Sequence, residues 1–374
     1  MAHHQNNETD HSRVSRSGGR LPISRSETPA SIPTFVLGPL AVRGKCANGQ
    51  YHLPLATTEA SLPAGVNRGI KLLNAVGGPT VRILKDAMSR CPVLECQTLE
   101  KAAHVPSLVR EQWTRLQGIA AEESRHCRLV DANTWVMGRL AFVRFCFETD
   151  DAMGMNIATI AADRLARDLA RECGGAVLSV SSNLCCDKKA AAINGLLGRG
   201  KTVTAEVEIP EDQVRKILRV EVEAFCKLVH VKHFVGSSIA GANGYNNAHC
   251  ANIVAGVFAA TGQDLAQIVE SSMAITYAES TKAGLYMSLL MPSLEVGTVG
   301  GGTGLPYAQR HLAKMDCTPD VAGDGASSRR LAEIIVAGCM AGELSLLACL
   351  AENKLGSVTK SLRCIAERTS GGRR

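Results

Sequence analysis

The sequence predicts an α+β fold in which helices dominate. The chain has 374 residues, enough for two or three domains with their own cores. Its content of 45% apolar and 20% charged residues is ordinary for a soluble globular protein. Segments with a helical period and segments of alternating polarity follow one another without a regular strand–helix–strand repeat. A doubly wound parallel sheet is therefore not predicted.

Six segments show the apolar period of a helix or the alternation of a strand. Strands are predicted at residues 140–147, 177–181 and 203–209. Helices are predicted at residues 156–173, 248–261 and 331–355, the last as one long helix or two. Helix-stopping glycines and a strand-ending proline follow several of them: Gly174, Gly175, Pro210 and Gly262.

Composition excludes several classes of function. Aromatic residues make up 4% of the chain, too few for the stacking platforms of nucleic-acid binding. The net charge of +6 is spread along the chain, which suits an anionic small ligand better than DNA. None of the 14 cysteines has zinc-ligand spacing, so no metal is expected. The cysteines are scattered and no signal peptide is recognised, which indicates reduced thiols in a cytosol-like compartment. Residues 331–351 contain Glu333 and Glu343, which favours a buried helix over a membrane span.

Both ends of the sequence have the composition of tails. Residues 1–30 are rich in Ser, Arg and Gly and lack an apolar period, which predicts disorder. Their arginines also suit an organelle transit peptide, although Glu8 and Asp10 argue against one.

Residues 149–156, with the sequence Thr-Asp-Asp-Ala-Met-Gly-Met-Asn, are the most informative stretch. They precede the predicted helix at 156–173, and a helix N-terminus offers N–H groups and partial positive charge to a phosphate. Gly154 would let a ligand approach the backbone, and the two methionines could pack on a flat ring. The alternative is a methionine-rich core segment, and the residues alone leave both open.

Four further clusters could take part in chemistry: Glu59, residues 187–189 (Asp-Lys-Lys), Asp264 and the glycine-rich residues 297–304. Each also has an ordinary explanation, such as a solvated face, a helix cap or a permissive linker. Asp264 follows the predicted helix at 248–261, where the helix dipole disfavours an acid, so a cationic partner is expected. Together they suit carbonyl reduction, in which a lysine stabilises an oxyanion, an acid delivers a proton and a nicotinamide supplies hydride.

Taken in order, these motifs resemble the catalytic part of the 3-hydroxy-3-methylglutaryl-CoA (HMG-CoA) reductases, most closely the eukaryotic and archaeal class. The resemblance covers about residues 33–356. Its motifs are Thr57-Thr58-Glu59 with Asn67-Arg68-Gly69, Asp151-Ala152-Met153-Gly154-Met155-Asn156, Asp187-Lys188-Lys189 with Ala191-Ala192-Ile193-Asn194, Gly262-Gln263-Asp264, Met291-Pro292-Ser293 with residues 297–303, and residues 341–346.

The resemblance implies reduction of HMG-CoA to mevalonate and CoA by two NADPH. The implied catalytic residues are Lys188, which polarises the carbonyl, Glu59, which donates a proton, and Asp264, which links the two. The implied substrate-binding residues are Arg82, Ser181, Asp187, Lys189 and Asn252 for the hydroxymethylglutaryl group, and Asn67, Arg68, Lys232 and Ser345 for CoA. The implied NADPH contacts are Ser124, Arg125, Asp151, Met153, Gly154, Met155, Asn156, Gly300, Gly301, Gly302 and Thr303.

The resemblance also implies a domain organisation. A large helical substrate-binding domain is expected at residues 31–84 and 178–340, with a small α/β (ferredoxin-like) NADP-binding domain inserted at 85–177 and a C-terminal helix and flap at 341–374. An active site shared between subunits implies a homodimer or homotetramer. Neither a nucleic-acid partner nor a membrane span is expected, and the expected place of action is the cytoplasm, in the mevalonate pathway to isoprenoids and sterols.

Two segments depart from the family. The family's C-terminal flap has a histidine that protonates the departing CoA thiolate, whereas the last histidine of this chain is His311. Residues 27–31 replace a motif that the family uses in dimer contacts. Smaller departures are Asp150 in place of a usual glycine and Gly65 in place of a usual serine. They raise a second hypothesis, an impaired paralogue that binds CoA or NADPH, or pairs with an active subunit.

Overall fold

The computed structural model describes residues 30–242, 244–319 and 324–353. The chain groups into two units, Met1–Ile32 and Pro33–Arg374, and every helix and strand below belongs to the second. The predicted tails, the flap and the N-terminal dimer segment lie outside the described residues, except for residues 30 and 31.

Eleven strands form one connected sheet in the described residues. They are β1 Thr34–Arg43, β2 Asn48–Ala56, β3 Thr80–Arg90, β4 Val93–Glu95, β5 Arg128–Met137, β6 Leu140–Glu148, β7 Ala176–Ser179, β8 Gly200–Pro210, β9 Tyr245–Asn246, β10 Ala274–Ser280 and β11 Gly284–Leu294. The predicted strands at 140–147, 177–181 and 203–209 are confirmed as β6, β7 and β8.

Helices account for most of the remaining regular structure. They are α1 Leu62–Ala75, α2 Leu99–Glu111, α3 Trp113–Glu123, α4 Met155–Glu172, α5 Ala192–Leu197, α6 Glu211–Gln213, α7 Val222–Val229, α8 Ser237–Ala240, α9 Cys250–Thr261, α10 Ile268–Ser271, α11 Pro306–Lys314 and α12 Ala326–Ala351. Two π-helical segments, Val214–Leu218 and His230–Gly236, and two 3-10 turns, Leu265–Gln267 and Gly301–Gly304, lie between them. The predicted helices at 156–173 and 248–261 are confirmed as α4 and α9.

Strand β3 joins two parts of the sheet. Its first residues, Thr80 to Ala87, pair antiparallel with β8, and its last residues, Met88 to Arg90, pair antiparallel with β6. The strand order along the sheet is β7-β4-β6-β3-β8-β11-β10-β9, with β5 on β6 and the β1–β2 hairpin beside β3. Mixed sheet and helix without a parallel repeat agree with the predicted α+β class.

Two hydrophobic cores lie on the two parts of the sheet. The larger core joins β1, β2, β8 and β11 to helices α1, α7, α9 and α12. The smaller core is built from residues 88–173, with the buried face of α4 against β6 and helices α2 and α3. This second core falls within the range predicted for the inserted domain.

Helix α12 crosses the predicted boundary at 340/341 without a break, and every residue from Leu331 to Ser345 is buried, so the helix is enclosed on all sides there. It is the one helix among the described residues long and apolar enough to span a membrane, yet 78% of its most apolar stretch, which has a mean hydropathy of 2.1, is buried in the protein.

The two glutamates of α12 have hydrogen-bond partners. Glu333 accepts the backbone N–H of Cys46 at 2.9 Å, and Glu343 accepts that of His249 at 2.8 Å.

Candidate active site

Lys188 and Asp264, which are distant in sequence, form an ion pair with Nζ 3.0 Å from Oδ2. The side chains are 44% and 38% exposed, so the lysine is open to solvent and not buried. The other oxygen of Asp264 accepts the Ala266 N–H at 3.0 Å and caps the Leu265–Gln267 turn, which accounts for an acid after α9. The hydrogen bond that Lys188 donates to Asp264 raises the pKa of Lys188 above its ordinary value, although partial burial opposes the rise. Asp264 therefore has the expected cationic partner.

Glu59 lies in the turn before α1, and its carboxylate faces α9. Asn252 Nδ2 donates to Glu59 Oε2 at 3.2 Å and lies 3.4 Å from His249 Nδ1. Ser61 Oγ donates to the other carboxylate oxygen at 3.1 Å. Asn252, predicted as a substrate contact, thus also orients Glu59. The described hydrogen bonds do not join this group to Lys188 and Asp264.

The loop before α5 holds Ser181, Asp187 and Lys189. Asp187 Oδ1 accepts from Arg199 at 3.2 Å and from Gln267 at 3.0 Å. Lys189 Nζ donates to the Asp187 carbonyl at 3.0 Å.

Arg90, at the end of β3, lies 3.5 Å from both Ser181 Oγ and Asp187 Oδ2. Sequence reasoning missed this arginine, because nothing in the β3 sequence indicates that the strand ends beside residues far along the chain. It adds a half-buried positive charge to the predicted hydroxymethylglutaryl pocket.

The loop at residues 149–156 is tied to the glycine-rich loop by a parallel bridge between Ala152 and Val299. Thr298 N–H donates to the Asp151 carbonyl at 2.8 Å. The buried Asp151 carboxylate accepts from Ser327 Oγ at 2.7 Å and from Ser328 N at 2.9 Å. These bonds direct the Asp151 side chain to the start of α12, whereas Met153 and Asn156 are more accessible residues of the loop.

Gln263 fastens the glycine-rich loop to the Gly262-Gln263-Asp264 motif. Its amide exchanges two hydrogen bonds with Gly297, at 2.9 Å and 3.0 Å. A Cβ at Gly297 would lie 2.3 Å from the Met153 backbone nitrogen, so only glycine permits this approach. Three motifs predicted separately are therefore in contact.

The geometry of the two loops fits a dinucleotide phosphate. Gly154 has φ +92°, in the left-handed region, and is the N-cap of α4, whose first N–H groups have no side-chain cap among the described residues. A Cβ at Gly300 or Gly301 would meet nothing within 4 Å, so their backbone faces open space. Met155 is buried, with its sulfur 2.9 Å from Arg199, whereas Met153 is half-buried. One methionine therefore belongs to the core and the other lines the loop.

The remaining predicted cofactor residues occupy the rims of these loops. Asn156 is exposed on the first turn of α4, and Gly302 packs its backbone against Gly262. Thr303 Oγ1 donates to the Gly300 carbonyl at 2.7 Å and closes the glycine turn.

Asp150 connects the predicted Ser124–Arg125 segment to the methionine–glycine loop. Arg125 Nε donates to His126 Nε2 at 2.9 Å, and His126 Nδ1 lies 2.9 Å from Asp150 Oδ2. Arg128 contacts the other oxygen of Asp150 at 3.0 Å. The Ser124 hydroxyl accepts the His126 N–H at 3.2 Å. The added acid thus forms an ion pair with Arg128 and contacts the His126 ring.

Two predicted CoA contacts meet where α1 packs on α12. Arg68 Nε donates to Ser345 Oγ at 3.1 Å, and burial lowers the pKa of Arg68 from its ordinary value. Asn67 is exposed on the same helix. Arg82 donates to the backbone carbonyl of Val81 at 2.7 Å. No described hydrogen bond joins Arg82 or Lys232 to another predicted site residue.

A buried charge cluster behind the Asp187 loop was also missed. Arg199 is fully buried and contacts Glu270 at 2.9 Å, Glu295, and Asp187 at 3.2 Å. The three carboxylates have oxygens within 4.8 Å of one another, a spacing that could suit a cation. The Arg199 guanidinium lies among them and supplies that positive charge. Burial raises the pKa of Glu270 and of Glu295, and the charge of Arg199 opposes the rise.

Comparison with known proteins identifies the family. A family profile described as hydroxymethylglutaryl-coenzyme A reductase matches residues 27–361. The chain belongs to the hydroxymethylglutaryl-coenzyme A reductase family. The 3-hydroxy-3-methylglutaryl-coenzyme A reductase of Pyrococcus abyssi is 44% identical over 334 residues, covering 88% of this chain and 82% of that protein. That of Haloferax volcanii is 44% identical over 331 residues, covering 88% of this chain and 82% of that protein.

A solved structure in the HMG-CoA reductase family shares the fold. The class II 3-hydroxy-3-methylglutaryl-CoA reductase of Streptococcus pneumoniae, bound to NADPH in open conformations, superposes with a TM-score of 0.66 at 18% identity. The match covers 86% of this chain and 85% of that one. The archaeal relatives agree with the class to which the sequence motifs pointed.

Proposed function

We propose that this chain catalyses the NADPH-dependent reduction of HMG-CoA to mevalonate and CoA. The family assignment supports the reaction, and the Lys188–Asp264 pair at 3.0 Å supports the chemistry. A partly exposed lysine that is held protonated can stabilise negative charge on a carbonyl oxygen. The proposal rests on this ion pair, because carbonyl reduction needs a positively charged group that stabilises the developing negative charge on oxygen.

Each reacting residue has a distinct task. Lys188 donates a hydrogen bond to the thioester oxygen and then to the aldehyde oxygen. Asp264 keeps that ammonium protonated and directs it. Glu59, oriented by Asn252, delivers the proton that completes the alcohol. NADPH, when bound, supplies hydride to the carbonyl carbon.

The cofactor would be held by the loops that the structure brings together. The N-terminus of α4 and the open backbone at Gly300 and Gly301 suit a diphosphate. Arg125 and Ser124 suit the phosphate that distinguishes NADPH from NADH. We assign residues 85–177 to this cofactor domain, supported by their separate core.

The substrate would lie on the other side of Lys188. Ser181, Lys189 and Arg90 suit the carboxylate of the hydroxymethylglutaryl group, and Arg68, with Asn67 beside it on α1, suits the CoA phosphates. Half-exposed catalytic side chains in a single chain suit a site completed by a second subunit. We therefore propose a homodimer or homotetramer. We also propose that the protein acts in the cytoplasm.

Oxidation of NADPH tests the proposal. The protein is incubated with NADPH and HMG-CoA, and separately with mevaldehyde, and the absorbance of NADPH is followed. Lys188→Met should abolish turnover of both, whereas Lys282→Met, on the exposed β10–β11 turn, should not. A folded protein that oxidises NADPH with neither substrate would exclude the reaction.

One sequence feature favours a second function, binding without full turnover. No histidine follows His311, so the thiolate-protonating flap residue of the family has no counterpart in the printed sequence. Turnover of mevaldehyde but not of HMG-CoA would place the defect at thiol release. Binding of CoA and NADPH without either turnover would identify an impaired paralogue.

A further inference from the structure

The backbone that presents Lys188 is strained. Lys188 has φ +60°, and Asn183 and Cys186 in the same loop have φ +65° and +50°. Side chains with a Cβ rarely adopt this left-handed conformation, because Cβ crowds the following carbonyl oxygen. Such residues persist where the surrounding structure fixes them. Something must therefore hold Lys188 in place.

A buried carboxylate from a distant helix holds it. Glu270, in α10, accepts the backbone N–H of Lys188 on Oε1 at 2.6 Å. The Glu270 side chain is fully buried, and its own backbone carbonyl is fixed by Ser293 Oγ at 2.7 Å. The acceptor is thus built into the core, whereas the residue it holds lies at the surface.

Arg199 makes this contact rigid. Its guanidinium donates to the same Glu270 oxygen at 2.9 Å and to Asp187 Oδ1 at 3.2 Å. One fully buried arginine thereby fixes both the acceptor and the residue that precedes Lys188. Glu295 is the third carboxylate on Arg199, and its side chain makes no described hydrogen bond to the loop that holds Lys188.

We propose that Glu270 is a positioning residue for Lys188, acting through the backbone N–H and not through charge at the reacting centre. The role rests on the proposed function, because it deepens the part that Lys188 plays there. Glu270 sets the direction in which the Lys188 side chain leaves the loop towards Asp264. A misplacement of about 1 Å in a reacting group can cost ~10²-fold in rate.

Three variants separate position from charge. Glu270→Met keeps the volume and removes the acceptor. Glu270→Gln removes the charge and keeps a carbonyl oxygen for the Lys188 N–H. Glu295→Gln removes the same charge beside Arg199 without touching the loop. Thermal unfolding confirms that each variant is folded.

The kinetic expectation is specific. In Glu270→Met, kcat falls roughly 10- to 100-fold while KM for NADPH stays within about twofold, because only the lysine moves. Glu270→Gln and Glu295→Gln keep kcat within about threefold of the unaltered protein. Equal kcat in Glu270→Met and Glu295→Gln would overturn the proposal. A loss in Glu270→Gln as large as in Glu270→Met would also overturn it, in favour of charge.

A second readout does not depend on turnover. An amine-acylating reagent is applied, and acylation of Lys188 is compared with that of Lys189 by peptide mass spectrometry. Pairing with Asp264 slows Lys188, so Glu270→Met should speed its labelling relative to Lys189, and Glu295→Gln should not. If the unaltered protein does not oxidise NADPH, the proposed function fails while this measurement still decides the positioning. Unchanged labelling in Glu270→Met would refute it.

Discussion

Replacing Asp264 by asparagine separates the catalytic value of its ion pair from its value for stability. The change preserves side-chain size and the Oδ1 acceptor that caps Ala266, and it removes the charge opposite Lys188. With side chains 44% and 38% exposed, the pair is screened by water despite its 3.0 Å separation. Exposed pairs of this kind contribute ~0.2–1 kcal/mol, so the free energy of unfolding should fall by about 0.5 kcal/mol. For a chain of this size, Tm should then fall by less than about 2 °C.

Activity should respond far more strongly. Asp264 directs the ammonium that stabilises the oxyanion, and a misplacement of about 1 Å in a reacting group can cost ~10²-fold, so kcat should fall by about that factor. The pH profile should also change. Because Asp264 raises the pKa of Lys188, the protonated form persists to higher pH, and its contribution is lost as pH rises through that pKa. Asparagine lowers the pKa towards its ordinary value, so the alkaline limb of activity should move to lower pH.

The assay pairs thermal unfolding with NADPH oxidation across pH. Asp163→Asn is the matched control, because Asp163 is also 38% exposed and pairs with Arg167 on the outside of α4 at 2.8 Å. It should lose similar stability and no activity. If Asp264→Asn kept its kcat and alkaline limb, or lost more than about 3 kcal/mol of stability, the argument from exposure and geometry would be wrong.

Four further changes test the packing, the pH response and the cofactor loops. Gly69→Ala should destabilise by ~3 kcal/mol or more in urea unfolding, because its Cβ would lie 1.9 Å from the Ala341 carbonyl. Gly65→Ala in the same helix should stabilise by ~0.5–1 kcal/mol, since its Cβ would meet Ser345 Oγ at an ordinary 3.7 Å, and the reverse order would contradict the α1–α12 packing. Burial lowers the pKa of His233 from 6.5, so the unfolded chain binds the extra proton and stability falls as pH drops below that value. His233→Gln should flatten this acid limb, and an unchanged slope would exclude that histidine as a cause. Asp150→Asn should lower KM for NADPH about threefold, because it removes one negative charge beside the proposed site of the phosphate that distinguishes NADPH from NADH. KM for NADH should not change. A higher KM for NADPH would show instead that the ion pairs of Asp150 organise the site.

The sequence predicts those helices and strands whose pattern of apolar residues can be recognised within a single segment. The stripe of α4 and the alternation of β8 are visible in single segments, since each buries one continuous face. The same reasoning misplaces the start of α12, predicted at residue 331 and found at Ala326. Its first turn contains Ser327 and Ser328, polar side chains that are buried because they bond to the loop at residues 149–156. A pattern of polarity cannot show that such residues lie inside.

In the candidate site, too, the sequence predicts only the residues that lie in recognisable local motifs. The residues in recognisable motifs, such as Lys188 and Asp264, could be named from the sequence. The residues that hold them could not, because Arg199, Glu270 and Glu295 are charged residues in unremarkable segments. Their burial is visible only when α10, β8 and β11 are brought together. Charge pairs across such separations leave no signal in a single sequence.

In the loop at residues 187–189, a residue that contacts the core is followed directly by the accessible residue that we propose to be catalytic. Asp187 contacts the buried Arg199, whereas the next residue, Lys188, has a left-handed backbone and contacts the partly exposed Asp264. A regular strand would also alternate its faces, but it would satisfy the Lys188 N–H through a neighbouring strand. Here Glu270 takes that place, so the backbone of the loop is fixed from the core while the ammonium stays accessible. If both supports act through Lys188 alone, combining Glu270→Met with Asp264→Asn should lower kcat little further than the worse single change, since the same contact cannot be lost twice.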